Sequence, residues 1–73
     1  MVKIKQCLDT GCTKYILLED GRTITTPNAV CTGKIWTDKD RQDYADIVRA
    51  TRETIMVNKP VMQDAKAGDE VPL

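Results

Sequence analysis

Apolar and polar residues alternate along the first third of the chain and then give way to a helical period. Residues 2–8 place Val2, Ile4, Gln6 and Leu8 on one side and Lys3, Lys5 and Cys7 on the other. That is the pattern of a half-buried strand, and the lysines are of the kind that guard a sheet edge. Asp9-Thr10-Gly11 supplies a turn. A second strand is predicted over 12–18. Its dense run Tyr15-Ile16-Leu17-Leu18 implies cover on both faces, or a partner on one of them.

Asp20-Gly21 separates this strand from a third, over 22–26, and favours a two-residue type I′ hairpin. That turn would set Glu19 opposite Arg22, Leu18 opposite Thr23, Leu17 opposite Ile24 and Ile16 opposite Thr25, with Leu17, Ile24 and Tyr15 on one face. Pro27-Asn28 ends the third strand. Residues 29–36 read as a fourth strand interrupted by Gly33, with Trp36 folding over the start of the next element near Arg41.

That element is a helix over 38–57. With Tyr44 at the origin and about 100° per residue, Ile47, Val48, Thr51 and Ile55 fall within roughly 60° of it. Thr37 is placed to cap the start, followed by Asp38 and Asp40, although Asp40 stands where a capping box prefers Glu or Gln. Lys39–Asp43 and Arg49–Glu53 are opposite-charge pairs at i,i+4. Asn58-Lys59-Pro60 marks the predicted end. The opposite side of the helix carries Gln42, Asp46, Arg49 and Glu53.

These elements predict an α+β fold. A small antiparallel sheet of three to four strands packs against one long C-terminal amphipathic helix, in a single domain over 1–58. The stripe of Tyr44, Ile47, Val48, Thr51 and Ile55 should meet Leu17, Ile24 and one set of alternate residues from 2–8. Residues 59–73 form an extended C-terminal tail, polar apart from Val61-Met62 and Val71-Pro72-Leu73. It is expected to dock on the domain or on a partner subunit.

Composition narrows the reading. Seventy-three residues make one small domain with little core, a size at which oligomerisation, metals or disulfides often add stability. The net charge is zero, so the strong basic excess of a duplex-DNA binder is absent. Five basic residues face three acidic ones in 1–36, and six face eight in 37–73, a mild asymmetry. Residues 2–8 form no apolar signal-like block, and no run reaches the ~20 apolar residues of a membrane span, so a cytoplasmic protein is expected. The odd count of cysteines (Cys7, Cys12 and Cys31) argues against a disulfide framework. They read as small buried or half-buried thiols. A zinc site of the three cysteines with Asp9 would be the alternative, in a chain without histidine.

The chemistry-bearing classes are poorly served. The chain has neither His nor Ser, so a nucleophile lacks its usual base. The helix aspartates, Asp38, Asp40, Asp43 and Asp46, spread around the wheel and read as a solvated face. No glycine-rich phosphate loop occurs, and neither a cofactor nor a metal is expected. The expectation is a non-enzymatic binding protein that inhibits or adapts another protein or complex. Such chains are common among phage-like accessory proteins. Gln42, Asp46, Arg49 and Glu53 are its candidate partner-binding face, and a homodimer or higher homo-oligomer is expected. The alternative is a homo-oligomer that binds a small anionic, nucleotide-like ligand or single-stranded nucleic acid between its sheets. Lys3, Lys5, Lys14, Arg22 and Lys34 would be its anion-binding residues, and Tyr15 and Trp36 its stacking platforms.

Overall fold

The computed structural model describes residues 1–72; Leu73, the end of the expected tail, lies outside the described residues. In chain order the elements are β1 (Val2–Asp9), β2 (Thr13–Leu18), β3 (Arg22–Pro27), α1 (Asp38–Ala50), β4 (Glu53–Met56) and β5 (Glu70–Val71). One five-stranded sheet has the order β4-β3-β2-β1-β5 and curls into a half-barrel. The expected α+β class holds. The sheet is mixed, however: β3 and β4 run parallel while the other pairs are antiparallel. The helix sits in the middle of the chain, as the crossover that parallel neighbours require.

The helix start follows the sequence. The Thr37 hydroxyl accepts from the Asp40 N–H at 3.2 Å, and the Asp40 carboxylate accepts from the Thr37 N–H at 3.0 Å. Aspartate therefore completes the capping box. The helix end corrects the sequence reading, because α1 stops at Ala50 rather than at residue 57. Thr51 is extended at the C-cap, and its hydroxyl donates back to the Ile47 carbonyl. Residues 51–57 are rich in β-branched side chains, which favour a strand over a helix. Thr54 and Met56 are exposed while Ile55 and Val57 are half-buried, a period of two of which the helical stripe holds only Ile55. Glu53 leaves the helix with them, so the Arg49–Glu53 helical pair does not exist.

Residues 29–36 form no strand. The place beside β3 is filled by β4, so this segment has no sheet neighbour to take up its backbone groups. It runs as an exposed loop instead, pinned by the Thr32 N–H to the Gly11 carbonyl at 3.0 Å. It is also joined covalently: Cys12 and Cys31 form a disulfide, with Cα atoms 4.2 Å apart. This overturns the reading of all three cysteines as thiols. Only Cys7 is free, and an odd count excludes a complete framework without excluding one bond. Gly11, at φ +99°, is needed here, since a Cβ would come within 2.8 Å of the Thr32 carbonyl oxygen.

The β2–β3 hairpin is one residue out of the predicted register. Leu17 pairs with Thr23, Ile16 with Ile24 and Tyr15 with Thr25. A type I′ turn needs positive φ at both central residues, and of Asp20 and Gly21 only Gly21 has it. The Gly21 N–H bonds the Leu18 carbonyl at 3.1 Å, giving a three-residue loop of a tight turn followed by a left-handed glycine. Asp20 rather than Glu19 holds Arg22, through the Arg22 N–H at 3.0 Å and its guanidinium.

The slip moves Ile24 to the face opposite Leu17. A bulge between Ile4 and Gln6 does the same within β1, so Ile4 and Leu8 serve opposite faces rather than one. Nor is β1 an edge strand, because β5 pairs beside Val2 and Lys3. Two cores result. On the inner face Ile4, Ile16, Leu18, Ile24 and Val71 are buried, joined by Cys7, Ile55, Met62 and Ala65. On the outer face Leu8, Leu17 and Ile47 are buried under Tyr15, Tyr44 and Ala50. The chain's own residues 57–72 thus cover the inner face, and the helix covers part of the outer one. β2, whose residues reach both, is the central strand its composition implied.

Two buried polar side chains fasten the inner cover. The Thr26 hydroxyl donates to the Lys59 carbonyl at 2.8 Å and accepts from the Val61 N–H at 3.1 Å. The buried Lys14 ammonium donates to the Gln63 and Ala65 carbonyls at 2.7 and 2.8 Å. Met62 takes a left-handed φ of 50°, a strain of order 1 kcal/mol for a non-glycine residue. It is held there by the inner cluster that its side chain joins.

Candidate binding groove

Helix α1 rests on β1 and β2 through Ile47, the one helical residue that is fully buried. It does not reach across β3 and β4. Between its C-terminal half and those strands the outer face opens into a groove of about 320 Å³. Tyr15, Thr23 and Thr25 form its floor, Tyr44, Val48 and Thr51 its helical wall, and Arg52 and Thr54 its far end. Thr23 and Thr51 share a hydrogen bond at 2.6 Å under the helix end. Val48 is 55% exposed and Met56, on the same face of β4, is 78% exposed. The apolar stripe of the helix is therefore only half used by the fold.

An aromatic chain closes the other end. Trp36 meets Tyr44 edge-on at 5.4 Å between ring centroids, and Tyr44 meets Tyr15 in the same way at 5.4 Å. Trp36 thus packs on Tyr44, and it forms no cation–π pair with Arg41 among the described residues. Burial, and then the neighbouring Tyr44 hydroxyl, push the Tyr15 phenol up, so it remains a neutral hydrogen-bonding group near neutral pH. Gly21, at φ +96°, lets the Arg52 side chain lie against the β2–β3 turn, and its carbonyl accepts the Arg52 N–H at 2.8 Å.

The candidate residues from the sequence are dispersed. Gln42 and Asp46 stay together, bonded at 3.0 Å, with Arg49 exposed one turn further on. Glu53 lies in β4, in register with Arg22. Among the basic residues, Lys14 is buried beneath the C-terminal segment. Arg22 is paired with Asp20, and Lys34 binds the Asp9 carbonyl at 2.8 Å and Asp40 at 3.4 Å. Lys3 and Lys5 are exposed on β1. These five do not converge on one cavity.

The described residues contain no group of three or more His, Cys, Asp or Glu side chains placed to hold a metal. No described helix is long and apolar enough to cross a membrane. Carboxylates with lowered pKa are tied to structure. The Gly11 N–H holds Asp9 below the usual carboxylate range; burial opposes it, and Asn28, Lys34 and Lys14 add smaller lowering effects. The Thr37 N–H does the same for Asp40. Sequence reasoning missed Val48, Thr25, Thr54 and Met56 as surface. The alternation of Thr23 and Thr25, repeated by Thr54 and Met56, carried that signal, but only once 53–56 is read as a strand. No family model, curated protein or solved structure matches the chain.

Proposed function

We propose that this is a small non-enzymatic binding protein that acts by contact on another protein, as an inhibitor or adaptor. The observation that carries the reading is the groove itself. It is open, lined by aromatic, aliphatic and hydroxyl groups, and of a size that takes one or two large side chains rather than an enclosed substrate. Tyr44, Val48 and Thr51 on one wall with Tyr15 and Thr25 on the floor suit an apolar side chain from a partner segment, with the Thr25 and Thr54 hydroxyls available to bond its backbone. Gln42, Asp46 and Arg49 would form the polar rim beside it. Arg52 is the only formally charged residue that lines the groove, and none of its groups forms an acid–base pair. That favours binding over catalysis.

The rival, a homo-oligomer holding an anionic ligand or single-stranded nucleic acid, would draw on Lys3 and Lys5 and on Tyr15 and Trp36. Both aromatic rings are engaged in the edge-to-face chain, which leaves less surface for base stacking. The cytoplasmic placement is likewise a proposal, and the Cys12–Cys31 bond weighs against it, since such bonds persist mainly in oxidising compartments. Rapid thiol trapping of freshly lysed cells decides the redox state.

The functional test is affinity capture from the native extract with wild type, Val48→Asp and Tyr44→Ala. A protein retained by wild type and lost from both variants, with unchanged circular dichroism, supports the groove. Retention by both variants, or recovery of a nucleotide without any protein, overturns it.

A further inference from the structure

We propose that the disulfide-tied loop between β3 and α1 inhibits an endopeptidase, with Val30 seated in the primary pocket of a serine enzyme that takes small aliphatic side chains. This surface is separate from the groove and does not depend on it. Residues 29–35 are exposed without a break. Val30 stands at a bend of the chain and is 72% exposed. Its amide and carbonyl bond nothing among the described residues. Both of its flanks, by contrast, are fastened, and Cys12 fastens both. On the N-terminal side the Cys12 carbonyl accepts the Asn28 N–H at 2.9 Å. There the Asn28 side chain also donates to the Asp9 carboxylate at 2.8 Å, and the Ala29 N–H donates to the Gln63 side-chain carbonyl at 3.1 Å. On the C-terminal side the Cys12 sulfur is bonded to Cys31, and the Thr32 N–H donates to the Gly11 carbonyl at 3.0 Å. The clamp stands at the start of β2, the central strand.

A loop held in this way meets a substrate cleft already ordered, so association loses little conformational freedom. The unbonded Val30 carbonyl is the group that enters an oxyanion hole, and its N–H is left to donate to the enzyme. Residues 29–33 carry no charge and Val30 is aliphatic, which selects a small apolar primary pocket. The fastenings also make the loop an inhibitor rather than a substrate. Attack of the enzyme's serine hydroxyl on the Val30 carbonyl carbon forms an ester and breaks the Val30–Cys31 bond, and the hydroxyl proton passes to the Cys31 amine. In an ordinary peptide that amine departs and water hydrolyses the ester. Here the disulfide and the Thr32 hydrogen bond keep it beside the ester. It attacks the ester carbon, restores the peptide bond and returns the proton to the serine oxygen. Even after hydrolysis the two pieces stay joined, because the cut falls between Cys12 and Cys31. Ile35, the other exposed aliphatic of the loop at 87%, has no such protection. A cut after it leaves both bonded cysteines in one piece.

The test is inhibition of elastase, whose primary pocket is small, by the full oxidised chain in competition with a chromogenic peptide substrate. Wild type should inhibit at about micromolar concentration or below. Val30→Asp should weaken inhibition at least about a hundredfold. Val30→Lys should transfer it to trypsin, whose pocket carries a carboxylate, a gain that an unfolded variant cannot show. Cys12→Ser/Cys31→Ser should turn inhibitor into substrate, cut after residue 30 and released as two pieces. Mass spectrometry of nicked wild type should find the same two pieces joined until the disulfide is reduced. Elastase left active by wild type, or inhibition untouched by Val30→Asp, would overturn the proposal. So would trypsin left active by Val30→Lys, or a first cut at any bond other than Val30–Cys31. A double cysteine variant that inhibits as well as wild type would remove the clamp from the account and the proposal with it.

Discussion

Reducing the Cys12–Cys31 bond should cost this domain a large part of its stability without altering its folded structure. The bond closes a loop across a sequence separation of 19. That loop contains all of β2, the hairpin turn and β3, so the unfolded chain is constrained through the region that must form the centre of the sheet. Chain-entropy reasoning gives about 3 kcal/mol for a loop of this length. Domains of this size lose roughly 4–8 °C per kcal/mol, which implies a fall in Tm of roughly 12–24 °C. The native state should barely change, because hydrogen bonds within the protein hold the same junction. The Thr32 N–H still meets the Gly11 carbonyl at 3.0 Å, and the Asn28 N–H the Cys12 carbonyl at 2.9 Å. Both cysteines are exposed, so dithiothreitol should reach the bond without prior unfolding. Cys7 should not reshuffle it. Burial pushes that thiol up, against an opposing effect of Lys14, so little thiolate is present to attack. The assay is urea and thermal unfolding by circular dichroism with and without reductant, repeated on Cys12→Ser/Cys31→Ser. The reduced and double-variant proteins should agree, keep the oxidised spectrum when folded, and show a larger urea slope from a more expanded unfolded state. A fall in Tm of only a few degrees would refute the entropic reasoning. An altered folded-state spectrum would refute the claim that the loop is held without the bond.

Four further outcomes follow from the two cores and their fastenings. Ile47→Asp should unfold the domain, since Ile47 is the helix's only fully buried anchor, and Ile47→Ala should cost about 2–5 kcal/mol; an unchanged Tm for Ile47→Asp would sink the outer core. Thr26→Val should destabilise by about 1–3 kcal/mol, because it strands the Val61 N–H and the Lys59 carbonyl in a buried site; amide exchange at Val61 should rise with it, and unchanged protection there would contradict the role given to the hydroxyl. Gly11→Ala should cost about 1–2 kcal/mol from the left-handed backbone alone, with more from the approach of the Thr32 carbonyl; a neutral effect in chemical denaturation would exclude that geometry. Finally, the lowered pKa of Asp9 contributes stability that is complete above the unfolded value of about 3.9 and is lost as pH falls through the folded value. Tm should therefore drop below about pH 4, and Asp9→Asn should flatten that drop; an identical acid limb in both proteins would remove Asp9 from the account.

What the sequence made legible was local, and what it hid was pairing. The positions of β1 and β2 along the chain, the Thr37 cap and the turns at Gly11 and Gly21 all rest on neighbouring residues, and each lies where expected. The stripe through Ile55 failed because Thr51 and Ile55, four residues apart, fit a helical face and a strand's period of two alike, so seven residues were too few to separate the two periods. β3 decided the matter by offering backbone partners to 53–56. The hairpin slipped by one residue because Gly21 alone takes positive φ, and that single residue moved Ile24 to the other core. The bulge at Lys5 moved Leu8 in the same manner. Neither leaves a mark in composition. The candidate site suffered most. Its sequence version assumed that Glu53 lay on a helix and that Lys14 lay at the surface, while the groove depends on which strand stands beside which.

Mixed topology explains why the groove exists at all. A helix placed at the end of the chain, over a finished antiparallel sheet, could have lain along its middle and buried the whole of its stripe. Here the helix must hand the chain back to β4 beside β3, so its C-terminus is fixed at the β4 side while Ile47 is drawn toward Leu8 and Leu17 on β1 and β2. It consequently crosses the outer face toward one side and leaves β3 and β4 uncovered. Val48, one residue beyond the buried anchor, is stranded at the rim of that opening. The inner face meets the opposite fate, because the crossover leaves residues 57–72 free to return beneath the sheet. Lys14 and Thr26 hold them there by their carbonyl and amide groups. Such bonds name backbone positions rather than side chains, so this cover tolerates a polar sequence. That is how a segment with the composition of a tail serves as half of the hydrophobic core's enclosure, while the more apolar helix is left with surface to offer a partner.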